Sequence, residues 1–149
     1  MYQRLLTAID LTANENHILA AARELAQLTG GAVHLLHVAQ LQSVPGETLG
    51  EGLGVSNGAD IDAHELQLSD QAVAQLVAAG VQATGQVIQI TRGSEADVAQ
   101  LILRRAKGID ADLIMLGEAL HGRASRFFRG SVADEIIHHH PPCAVLLIP

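Results

Sequence analysis

The sequence predicts an α/β fold, a parallel sheet with helices over both faces. Short apolar runs alternate with longer stretches of helical period, the pattern left when strands feed crossover helices. Hydrophobic residues make up 48% of the 149 and charged residues 17%, enough apolar surface to offset the entropy of ordering the chain. A chain of this length supports one core, so residues 1–149 are expected to form one domain.

Each element follows from its own pattern. Leu5-Leu6-Thr7-Ala8-Ile9 reads as the first strand and Val33 to Val38 as the second. Between them, Glu15 to Thr29 sets Ile18, Ala21, Ala22, Leu25 and Leu28 on one helical stripe, and Gly30-Gly31 supplies the stop. Residues 40–60 turn polar and glycine-rich, with Gly46, Gly50, Gly52, Gly54 and Gly58, and read as a flexible loop. A helix follows from about Ile61 to Ala79, a strand from Gln82 to Ile90, and a helix from Ser94 to Ala106, where Ser94 and Asp97 form a weak capping box. Asp112 to Leu116 is the fourth strand, Ser131 to His139 the last helix, and Ala144 to Ile148 the fifth strand after the Pro141-Pro142 stop. No repeat is evident, and no segment is left over for a second module.

Charge and composition exclude several classes. The net charge is −7, and Tyr2, Phe127 and Phe128 are the only aromatics, so the basic face and stacking platforms of a general nucleic-acid binder are missing. The one cysteine, Cys143, allows neither an internal disulfide nor a cysteine-based metal framework and is expected to be buried and unreactive. The apolar N-terminal stretch is too short for a signal-peptide core, and no run reaches the ~18 residues that span a bilayer. The expectation is a cytoplasmic protein with no membrane contact.

In open α/β sheets, ligands bind beyond the carboxyl ends of the strands, where strand order reverses. Asp10 stands at the end of the first strand; its carboxylate can accept a hydrogen bond from a ribose or base, or serve only as a turn residue. The stretch from Gly117 to Val132 is the most informative. Gly117 is expected to let the chain turn, and Gly130-Ser131 puts backbone N–H groups and a hydroxyl at a helix N-terminus, where an anion is favoured. Arg123, Arg126 and Arg129 could contact phosphate, or form one solvated face at a spacing of three. Lys and Arg are absent between Arg23 and Arg92 and gather from Arg92 to Arg129.

With these residues in view, the chain resembles the universal stress proteins. The resemblance rests on the opening strand ending Ala8-Ile9-Asp10, on Leu35-Leu36-His37-Val38, on Arg92-Gly93-Ser94 and on Asp112-Leu113-Ile114-Met115-Leu116-Gly117. Most specific are Gly130-Ser131-Val132-Ala133 and the ending from Pro142 to Ile148. The resemblance implies strand order 3-2-1-4-5 and a homodimer formed through the last strand, Ala144 to Ile148. It further implies a stress-response regulatory module that binds ATP or AMP, with or without Mg²⁺, and answers to a protein partner.

One branch of that family carries glycine, two residues, glycine, nine residues, then glycine with serine or threonine. Gly117 and the Gly130-Ser131 pair match at the right distance, whereas Leu120 replaces the middle glycine. By the resemblance, Asp10 and Val38 contact adenosine, Ala8 and Ile9 line the pocket, and Gly117, Gly130, Ser131 and Val132 surround ribose and phosphates. If position 120 must be left-handed, leucine costs roughly 1–2 kcal/mol there, and Gly122 could take over the close approach. Leu120 therefore supports a competing expectation, a dimeric interaction module that has lost its nucleotide.

The remaining features point to no further chemistry. No residue is an evident general base for phosphoryl transfer, so no catalytic residue is assigned. His138, His139 and His140 diverge around a helix end and read as residues favoured by the macrodipole, not as a metal site. His34 and His37 lie three apart in a strand and face opposite sides of the sheet.

Overall fold

The computed structural model describes residues 1–10, 15–40, 63–90, 95–117 and 131–149. The expected flexible loop, the Ser94 end of the capping box and most of the Gly117–Gly130 connection lie outside the described residues. Nine elements follow in the order β1 (Arg4–Ile9), α1 (Glu15–Thr29), β2 (Ala32–Gln40), α2 (Ala63–Ala78), β3 (Ala83–Ile90), α3 (Glu95–Gly108), β4 (Leu113–Gly117), α4 (Ser131–His138) and β5 (Ala144–Ile148). The strands form one parallel sheet in the order β3-β2-β1-β4-β5. This is the three-layer α/β architecture the alternation predicts.

Strand period two sorts the side chains into two cores, one per face. Leu5 and Ile9 of β1, Val33 and Leu35 of β2, and Leu113 and Met115 of β4 pack with α1 and α2. The alternate residues Leu6, Ala8, Leu36, Ile114 and Leu116 pack with α3 and α4. Central β1 and β4 are thus apolar on both faces, as parallel strands covered twice must be. Helices α1 and α2 lie over one face and α3 and α4 over the other because the chain moves first one way from β1 and then crosses back to β4; right-handed crossovers demand that change of face.

Two sequence expectations need correction. Leu28 is not on the buried stripe of α1 but 84% exposed. The buried line runs Ile18, Ala22, Ala26, and Leu28 stands two residues on, about 200° around the axis and so toward solvent. Cys143 is only half-buried. Burial first, then the charge of Asp112, pushes its thiol up, against a smaller lowering by the Ile114 main chain, so the protonated form is favoured.

Each of the four described helices is followed within two residues by one with positive φ: Gly30 after α1, Gly80 after α2, Asp110 after α3 and His140 after α4. The Ala111 amide closes α3 on the Ala106 carbonyl at 2.8 Å, and the Val81 amide closes α2 on Leu76 at 3.0 Å, the long-range bond of a Schellman cap. Such stops turn the chain directly into β3 and β4. The start of β1 is pinned from both sides: the Ala32 amide donates to the Gln3 carbonyl, and the Asp112 carboxylate accepts from the amides of Gln3 at 2.7 Å and Arg4 at 3.0 Å.

Candidate functional site

The parallel register brings the predicted strand-end residues to one level. Ile9 pairs with His37, and Gly117 with Ile148, so Asp10 and Val38 stand just past that row and Gly117 stands in it. Between the two halves the sheet opens: the β1–β4 ladder ends at Ala8 and Leu116, while β1–β2 and β4–β5 each continue one residue further. This is the point where strand order reverses, the place at which α/β sheets hold ligands.

The side chains at this level divide into walls and polar groups. Ala8 and Ile9 are 4% and 3% exposed, each committed to a core, so anything they offer a ligand comes from the main chain. Val132, in the first turn of α4, is buried with Ala8, Leu36 and Leu116 and anchors that helix start to the sheet. Val38 is partly buried in the same cluster, and Asp10 is half-buried at the strand end. Sequence reasoning thus placed Ala8, Ile9, Asp10, Val38, Gly117 and the Ser131-Val132 start of α4 at the carboxyl ends of the strands, where the structure has them. Gly122, Gly130, Leu120 and the arginines Arg123, Arg126 and Arg129 lie outside the described residues.

Gly117 differs from its expected role. It closes β4 without a positive φ, and among the described residues a Cβ there would meet only the Ile18 Cδ1 at 3.8 Å, an ordinary contact. The strand itself does not require glycine at this position.

His37 was not expected at the site. Its ring is 7% exposed, its Nδ1 lies 3.0 Å from the Ile9 carbonyl oxygen, and its Nε2 lies 3.6 Å from the Glu65 carboxylate in the first turn of α2. Nothing in the sequence marks this tie, because Glu65 is distant along the chain and only the β2–α2 packing brings it in. His34 faces the other side, as its spacing requires, with Nδ1 2.7 Å from the Thr84 hydroxyl. Burial, then Arg105 and Arg4, holds His34 below the ordinary histidine range.

Among the described residues, no group of three or more His, Cys, Asp or Glu could hold a metal ion, and no helix is long and apolar enough to cross a membrane. The Nδ1 atoms of His138 and His139 are each occupied by the carbonyl four residues back, at 2.7 Å. Two open hollows of about 560 and 490 Å³ lie at the amino ends of the strands, beside Gly80 and Thr84 and beside Arg4 and Cys143, on the far side of the sheet from Asp10.

A family model described as the universal stress protein family matches residues 1–149. The chain belongs to the universal stress protein family. Solved universal stress proteins share the fold over nearly the whole chain. One from Burkholderia pseudomallei is 27% identical, with a TM-score of 0.71, covering 99% of this chain and 96% of that one. UspA from Lactobacillus plantarum is 20% identical with a TM-score of 0.73, covering 99% and 98%. A universal stress protein from Archaeoglobus fulgidus, solved in complex with dAMP, is 24% identical with a TM-score of 0.64, covering 99% and 98%. No curated protein matches the chain.

Proposed function

We propose that this universal stress protein is a regulatory module of the stress response that binds an adenine nucleotide, AMP or ATP, at the carboxyl ends of β1, β2 and β4. The observation that carries the reading is that the β1–β4 ladder ends at Ala8 and Leu116, one row before Gly117 and two before Asp10 and Val38. Asp10 would accept from the nucleoside and Val38 would pack against it. Ala8 and Ile9 would offer main chain, and Gly117, Gly122, Gly130, Ser131 and Val132 would surround ribose and phosphates, with Arg123, Arg126 and Arg129 available to the phosphates. The dAMP complex of the Archaeoglobus fulgidus relative supports an adenosine monophosphate as the ligand class. This reading assigns the chain no turnover, and a cytoplasmic, single-domain homodimer goes with it. Support for the dimer is the free edge of the sheet at β5, where Leu146 and Leu147 are 39% and 46% exposed.

Calorimetric titration of the purified protein with AMP and ATP, with and without Mg²⁺, tests the proposal. Heat of binding is expected, and no signal at millimolar nucleotide overturns it. A second reading, a dimer that works without nucleotide, is favoured by Leu120 in place of the middle glycine. Mass analysis of nucleotide released on denaturing fresh protein separates the two. If the first holds and bound phosphate requires a left-handed residue at position 120, Leu120→Gly should tighten ATP about tenfold, because leucine costs roughly 1–2 kcal/mol in that conformation.

A further inference from the structure

We infer that His37 is a positioning residue of the strand-end site: its Nδ1–H holds the Ile9 carbonyl and thereby sets the main chain that presents Asp10. This inference rests on the nucleotide reading above. A carbonyl oxygen only accepts, so the 3.0 Å contact requires the proton on Nδ1. The bond falls one residue past the last β1–β4 pair, Ala8–Leu116, where Ile9 is paired with β2 alone. At the other end of the ring, Nε2 is buried with no hydrogen-bond partner among the described residues.

That orphaned atom is informative. Burying a polar nitrogen without a partner is unfavourable, and an apolar residue would fill the same space on the α1–α2 face at no such cost. Glu65 stands 3.6 Å away, beyond hydrogen-bond reach, so this side of the ring makes no hydrogen bond that would explain why histidine is there. The Nδ1 side does. It reaches the one peptide group, Ile9–Asp10, that carries the chain out of β1 into the site. Glu65 at the start of α2 closes the far side of the ring and limits its rotation.

The test pairs two variants. His37→Asn keeps a short donor close to where Nδ1 lies and drops the Nε2 end, whereas His37→Leu fills similar space with no donor. In the wild-type protein, long-range ¹H–¹⁵N correlation of the imidazole should show Nδ1 protonated. The Ile9 ¹³C′ resonance should shift in His37→Leu and return in His37→Asn. By calorimetry, AMP affinity should fall about five- to tenfold in His37→Leu, the worth of one hydrogen bond, and stay within about twofold of wild type in His37→Asn. Equal losses in both variants, or a ring protonated on Nε2 alone, overturn the inference. Should wild-type protein bind no AMP, the nucleotide reading falls and takes the affinity effect with it. The resonance data then decide by themselves whether His37 sets the Ile9–Asp10 main chain.

Discussion

Individual residues in this chain show how far composition stops short of structure. Thr7 reads as one more strand residue, yet its hydroxyl is fully buried in β1 with no partner among the described residues. Thr7→Val should therefore stabilise the fold by about 1 kcal/mol, raising Tm by roughly 2–4 °C in a thermal melt. Gly31 was legible only as half of a helix stop. Its deeper constraint is the N-terminus packed on it, since a Cβ would stand 2.5 Å from the Tyr2 carbonyl oxygen and 3.1 Å from the Gln3 Cα. Gly31→Ala must push main chain away from main chain and is expected to cost about 1–3 kcal/mol in chemical denaturation. Asp10 and Gly117 could be picked out from the sequence because strand ends announce themselves as the residues after an apolar run, whereas Val38 was named through the family resemblance. His37 could not, because a histidine inside such a run looks the same whether its ring bonds a carbonyl or merely packs.

At the scale of elements, periodicity found every strand and helix, with ends displaced by a residue or two where caps decide them. Helix α3 runs past Ala106 to Gly108 because Asp110, with φ 50°, and the Ala111–Ala106 bond place its stop later than the apolar stripe does. The ties between elements carry pH dependence. Burial raises the Asp112 pKa, but the amides of Gln3 and Arg4, its own amide and the N-terminal charge outweigh it and hold the carboxyl below the ordinary range. A depressed carboxylate contributes stability above its unfolded pKa that is lost as pH falls through the folded value. His34 is also depressed, so the unfolded chain takes up its proton first and stability falls as pH drops below the ordinary 6.5. Melts between pH 7 and pH 3 should thus show two acid-side losses. His34→Asn should flatten the upper one and Asp112→Asn the lower, the latter at the expense of a weaker fold at neutral pH.

For the whole molecule, the decisive feature is a sheet whose two sides differ in exposure. Central β1 and β4 are buried on both faces, whereas β5 at the edge leaves Leu146 and Leu147 partly open. If β5 is the dimer edge, Leu147→Lys should shift sedimentation velocity from dimer to monomer while far-ultraviolet circular dichroism stays unchanged. A monomeric wild-type protein would remove that expectation. By itself the sequence determined the alternation of strands and helices, the two-faced burial of the central strands and the residues at the strand ends, because these depend on patterns within a few residues. It also carried, by resemblance, the strand order. Only the tertiary structure decided that β1 and β4 part at Ala8 and Leu116, that Gly117 ends its strand without strain, and that His37 closes on Ile9 beneath Glu65. For the first and the last the physical reason is the same: each is a contact between segments far apart in sequence, whose geometry is set by packing across the sheet and leaves no local pattern behind, whereas glycine by itself allows either sign of φ and only the folded chain selects one.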